Sequence, residues 1–160
     1  MAYLLDSDVF IQASNMHYQF AFCSAFWDWI DREHAAGKIL SIDRVLKEIR
    51  DGLFGELKPW AEARPSLFIK SADIETSECN TRVALWVSQN YDEAGYEKFF
   101  AGADFVLVGY ALAHNHIVVT QENTKGGKKV KIPDACDAMG VKCINTWDLL
   151  KGECPKFILG

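Results

Sequence analysis

Four carboxylates stand where an α/β chain could use them for chemistry. Asp6 ends the apolar run Ala2-Tyr3-Leu4-Leu5, and Glu122 lies two residues past the run His116-Ile117-Val118-Val119-Thr120. Asp104 opens an apolar segment that leads into that second run. Glu48 sits at the margin of the apolar face of residues 41–53. Carboxylates brought together repel and raise one another's pKa, and a divalent cation removes that penalty. Ligation by oxygen alone favours magnesium or manganese over zinc. Such an ion, alone or as one of two, activates water against a phosphodiester. Each acid also has an ordinary role to set against this one. Asp104 after Gly102-Ala103 suits a helix N-cap, Glu48 beside Lys47 and Arg50 a solvated helix face, and Glu122 before Asn123 a turn. Asp6 is the sharpest of the four, because open α/β sheets bind ligands outside the carboxyl ends of their strands.

The elements that must position these acids alternate along the chain. Short apolar runs at residues 2–5, 39–42, 116–120 and 141–144 read as buried strands. Ile42, Val45, Leu46, Ile49 and Leu53 recur with helical spacing. Residues 9–15 form a short helix candidate. A longer one starts near Ser24, as a possible N-cap, and stops at Gly37. Further helices are expected over 74–90, 93–100 and 103–115, the last apolar nearly all round and therefore buried. Pro133 fits the first turn of a helix that Gly140 stops, and residues 146–151 form a last turn. This alternation predicts an α/β fold, with a short, mostly parallel central sheet covered by helices on both faces. Nothing marks a linker or a repeat, so a single domain over residues 1–160 is expected.

Composition narrows the classes. The chain is 49% hydrophobic and 24% charged, which suits a globular protein and excludes a disordered or fibrous one. The formal charge of −5 argues against nucleic-acid binding by bulk charge. Yet Lys125, Lys128, Lys129 and Lys131 cluster just after Glu122, where they could contact phosphates or simply form a solvated turn. Five dispersed cysteines without a CxxC pair read as reduced thiols. The absence of a long apolar run and of a basic leader predicts a cytoplasmic protein with no membrane partner. The aromatic stretch from His17 to Trp29 is expected to fill a core or an interface rather than stack bases. His114 and His116 are expected to be structural.

Leu4-Leu5-Asp6-Ser7-Asp8-Val9-Phe10 resembles the opening of a PIN-domain nuclease. Glu48, within Val-Leu-Lys-Glu-Ile, is similar to that family's second acid. Ala103-Asp104 and Val118-Val119-Thr120-Gln121-Glu122 resemble the segments that carry the third and fourth. The likeness spans essentially the whole chain, and the aromatic insert resembles a bacterial PIN-like subgroup. Two positions depart from the family pattern, Asp8 standing where Asn is usual and Glu122 where Asp is usual. The resemblance implies a three-layer α/β/α domain and a magnesium- or manganese-dependent endoribonuclease, with small bacterial members often VapC-type toxins. It implies catalytic roles for Asp6, Glu48, Asp104 and Glu122, with metal ligands drawn from Asp6, Asp104, Glu122 and Asp8. Ser7 and Thr120 would support them. A cognate antitoxin and a homodimer follow as partners, with RNA as the substrate. Two rival readings stand beside it. Asp6-Ser7-Asp8 after a strand also resembles haloacid-dehalogenase-like phosphatases, where Asp6 would be the nucleophile. A PIN-like module that binds RNA or protein without turnover is the other.

Overall fold

The computed structural model describes residues 1–123 and 125–159; Thr124 and Gly160, which fall inside the expected domain, lie outside the described residues. Five strands form one all-parallel sheet: β1 (Tyr3–Leu5), β2 (Ile39–Ile42), β3 (Phe68–Ile69), β4 (Ile117–Val119) and β5 (Cys143–Ile144). Their order is β3-β2-β1-β4-β5. β1 is central, with Leu4 opposite Leu40 on one side and Val118 on the other. Leu4, Leu5, Ile39, Ile42, Val118 and Val119 are buried, because helices cover both faces.

The helices are α1 (Ser7–Gln12), α2 (Ser24–Ala35), α3 (Asp43–Asp51), α4 (Leu57–Glu62), α5 (Ile74–Asn90), α6 (Glu93–Ala101), α7 (Asp104–His114), α8 (Ile132–Met139) and α9 (Thr146–Glu153). The chain steps outward from β1 to β2 and β3, then returns past β1 to β4 and β5. Right-handed crossovers therefore put the first helices on one face and the later ones on the other. Packing agrees: α1 meets α3 and α3 meets α4, while α5, α6 and α8 pack on α7. This is the expected three-layer α/β/α arrangement. The strand order reverses between β1 and β4, the place where such sheets open a ligand crevice.

Several local details differ from the sequence expectation. The first helix begins at Ser7 rather than Val9, because Asp6 caps it by accepting from Ser7 N at 2.7 Å. It then runs into a π-helical turn over Ala13–His17. Cys23, not Ser24, holds the cap position of α2, and Ser24 begins the helix. β3 was not expected; it lies in the short apolar run Leu67-Phe68-Ile69, where two residues pair with Ser41 and Ile42. Most of the aromatic stretch packs into the core as expected, with Phe22 left exposed. Phe26, Trp27 and Trp29 are buried, Tyr18 stacks on Phe26 at 4.4 Å, and Phe20 stacks on Trp27 at 4.1 Å. Gly140 ends α8 at φ 72°, a conformation that a side chain would strain.

The two histidines take structural positions. His116 Nδ1 accepts from Ala2 N at 3.0 Å, and His114 Nε2 lies 2.8 Å from Asp73 Oδ2. Asp73 also caps α5, its Oδ1 accepting from Thr76 N at 2.6 Å. One side chain thus ties the start of α5 to the end of α7. Asp73→Ala is expected to cost about 1 kcal/mol. A thermal melt should register this as a fall of about 2–4 °C, and Asp73→Asn should recover most of it. All five cysteines are free thiols, with Cys136 buried and in side-chain contact with Cys143. Among the described residues no helix is long and apolar enough to cross a membrane.

Candidate functional site

The carboxyl edge of β1 and β4 gathers the acids. Asp6 follows β1 directly, is 3% exposed, and accepts from Thr120 Oγ1 at 3.0 Å through Oδ2. Asp8, in the first turn of α1, is held from across the switch point. Its oxygens accept from Gln121 N at 3.1 and 3.2 Å, and Thr120 Oγ1 lies 3.2 Å from its Oδ2. Thr120 Oγ1 in turn accepts from Glu122 N at 3.2 Å. The buried Thr120 hydroxyl therefore joins the first strand's acids to the loop that follows β4.

Glu48 arrives on α3 and is fixed at both oxygens. Ser7 Oγ donates to Oε2 at 2.6 Å, and Ala103 N donates to Oε1 at 2.7 Å. Ala103, not Asp104, occupies the cap position of α7, and its backbone N–H is satisfied by Glu48 from another helix. Asp104 is thereby left free of capping, so the ordinary role weighed for it does not apply. Gly102 makes room for this contact, since a Cβ there would meet Glu48 Oε1 at 2.9 Å. Glu122 accepts from Ile132 N at 2.8 Å, and its other oxygen lies 3.8 Å from Lys131 Nζ.

Asp6, Ser7, Asp8, Glu48, Asp104 and Glu122 line one cavity of about 470 Å³. Lys98, which the sequence reading did not single out, lines it too. It stands on the last turns of α6, and nothing in the sequence marks it as close to the acids. None of the four loop lysines lines this cavity. Lys125 is drawn to Asp137 at 2.6 Å, Lys131 Nζ lies 3.8 Å from Glu122 Oε1, and the exposed Lys128 and Lys129 form no ion pair among the described residues.

Burial and mutual repulsion disturb the acids strongly. Burial, then the charges of Asp8 and Asp104, pushes Asp6 well above the usual carboxylate range. Burial also raises Asp8, against the pull of the Gln121 N–H. Asp104 is raised to about 7 by burial and by the charges of Glu122, Glu48 and Asp8, with Lys98 opposing.

The donor set fits a hard divalent cation. It is all oxygen and carries excess negative charge that a cation would relieve. Among the described residues Asp104 alone of these acids accepts no hydrogen bond, so it is the one freest to ligate directly, with Asp6, whose charge it repels, beside it at the end of β1. Two direct carboxylates with outer acids holding waters is the habit of magnesium. Among the described residues no group of three or more His, Cys, Asp or Glu side chains forms a ready-made metal cage.

Comparison with known proteins gives one match. A family model described as "Domain of unknown function (DUF4411)" matches residues 3–157. No curated protein and no solved structure matches. The matched span covers all five strands and every acid of the cavity, and the chain belongs to the DUF4411 family.

Proposed function

We propose that the chain is a PIN-like, metal-dependent endoribonuclease that hydrolyses RNA phosphodiester bonds. The observation that carries this reading is the convergence of Asp6, Asp8, Glu48, Asp104 and Glu122 on one cavity at the switch point. Acids drawn from four separate segments cost stability through burial and repulsion. Such an arrangement is explained by a ligand that needs it. Bound magnesium or manganese would lower the pKa of an attacking water and offset charge on the phosphate. Asp6 and Asp104 would hold the ion. Ser7 and the Ala103 N–H keep Glu48 aimed into the cavity, and Thr120 fixes Asp6 and Asp8 together. Lys98 supplies the positive charge in the cavity wall, suited to a phosphate oxygen. Asp6 is nearly inaccessible and both its oxygens accept hydrogen bonds. That disfavours Asp6 as the nucleophile of a phosphatase.

The same reading places the protein in the cytoplasm as the toxin of a toxin–antitoxin pair, with a cognate antitoxin and a second copy as partners. Five free thiols suit a reducing compartment. The exposed apolar side chains of Phe22, Leu53 and Ile158 offer surface that partners would cover.

The test is cleavage of end-labelled total bacterial RNA with manganese or with chelator, beside Asp104→Asn. Discrete cuts that need the metal and are lost in the variant are expected. Cutting that survives the variant would sink this assignment of the site. Metal binding without cutting would leave a non-catalytic binding module.

A further inference from the structure

Glu122 faces the acid cavity, but its neighbours Gln121 and Asn123 line a second cavity of about 350 Å³. Its other walls include Gln12, His17, Asn145 and Trp147. Gln12 lies four residues after Asp8 on α1, about 6 Å along the same helix face. The two cavities are therefore adjacent and share the Gln121–Asn123 segment. The π-helical turn brings His17 to this wall, a distortion frequent at functional sites. There its ring meets Trp147 edge to face at 4.9 Å, and the indole remains 39% exposed.

The chemistry of this lining differs from that of the acid cavity. Its described residues include no Asp, Glu, Lys or Arg. Asn145 Oδ1 accepts from Asp148 N at 2.8 Å, and Gln121 Oε1 accepts from Thr146 N at 3.4 Å. The amide oxygens are thus occupied, and among the described residues the NH2 groups of both side chains have no protein partner. Free amide donors around an exposed indole suit an uncharged, planar heterocycle that carries carbonyl oxygens. A phosphate or carboxylate would find no lysine or arginine here.

We propose that this cavity takes an unpaired nucleobase with carbonyl acceptors, uracil or guanine, from the nucleotide next to the phosphodiester in the acid cavity. Trp147 supplies the stacking surface, and the amides read the base edge. The link to a scissile bond rests on the nuclease reading above; recognition of the base does not, because it needs neither metal nor phosphate.

The test titrates uridine, adenosine and ribose into protein held in chelator, following indole N–H resonances by NMR. The Trp147 signal is identified by its absence in Trp147→Phe. Uridine is expected to shift the Trp147 indole and several side-chain amides saturably. Adenosine should bind at least about tenfold more weakly and ribose not at all. Trp147→Ala should weaken uridine at least about tenfold. Trp147→Phe, which keeps a stacking ring, should retain most of the affinity as read on the side-chain amides. Gln12→Ala, at an exposed position, should cost a few-fold. Equal binding of adenosine and uridine, or shifts confined to other tryptophans, would overturn the proposal. If RNA is cut but uridine leaves Trp147 untouched, this inference fails alone. If uridine binds as described but no RNA is cut, the nuclease reading fails and the base site stands.

Discussion

Asp6→Asn is expected to raise the melting temperature of the metal-free protein while removing metal-dependent cleavage. The two effects share a cause. Asp6 is buried, and its carboxyl is pushed far above its ordinary range by burial and by Asp8 and Asp104. Asparagine removes the charge but keeps the cap on α1, because Asn and Asp cap helices about equally well. Relief of about 1 kcal/mol would appear as a rise of about 2–4 °C in chelator. The loss of function should be much larger. Outer partners of metal ligands already cost about 10–100-fold when removed, so a direct ligand should cost at least about a hundredfold in cleavage. The manganese-induced rise in melting temperature should shrink as well. A variant that melts lower in chelator and still cuts RNA would show that Asp6 is only a cap.

Without metal, stability is expected to fall as pH rises from about 4 to about 7. Asp104 titrates at about 7 in the folded protein, raised by burial and the neighbouring acids. Unfolded, it returns to the ordinary carboxylate range. Between those values the folded state holds more protons than the unfolded one, so its stability is fully present in acid and is lost through neutrality. For this one group the swing is up to about 4 kcal/mol, or on the order of 10 °C in melting temperature. Asp104→Asn should flatten the curve. Saturating manganese should oppose it, since the ion needs the deprotonated acids and binds more tightly as pH rises. Melting curves across pH, with chelator and with manganese, read both effects. A metal-free melting temperature that climbs from pH 5 to pH 7.5 would contradict the buried, repelling acids described here.

Much of the scaffold was legible because local rules and tertiary packing agree. Leu4 and Leu5 are buried on both faces of the sheet, so their run stops where Asp6 reaches the crevice. The apolar spacing of α3 and the all-round apolarity of α7 reflect one-sided and two-sided burial. β3 was passed over because its apolar run, Leu67-Phe68-Ile69, is only three residues long and too short to distinguish from a helix end or a buried loop. The π-helical turn was equally silent, since nothing in Ala13–His17 distinguishes it from an ordinary helix end. In the site, the acids were readable as strand-end and helix-start residues. What fixes them was not. Glu48 capping α7 from another helix, and Gln121 N–H bonding Asp8, depend on which strand lies beside which. Lys98 was passed over for the denser lysines at 125–131 because charge density along the chain is visible and proximity in space is not. The same blindness hid the contact of Cys136 with Cys143 and the wall shared by Gln12 and Trp147.

The central position of β1 has a consequence for synthesis. Its partner on one side, β2, follows within about forty residues, but its partner on the other, β4, begins at Ile117. Chains emerge N-terminus first, and pairings distant in sequence form late. Asp6, Asp8 and Glu48 are therefore made early but stay unassembled until Thr120, Gln121 and Glu122 have left the ribosome. A growing chain carries most of the acids and none of the finished site, so whatever activity the cavity supports is withheld from the nascent protein until the segment through Glu122 has emerged.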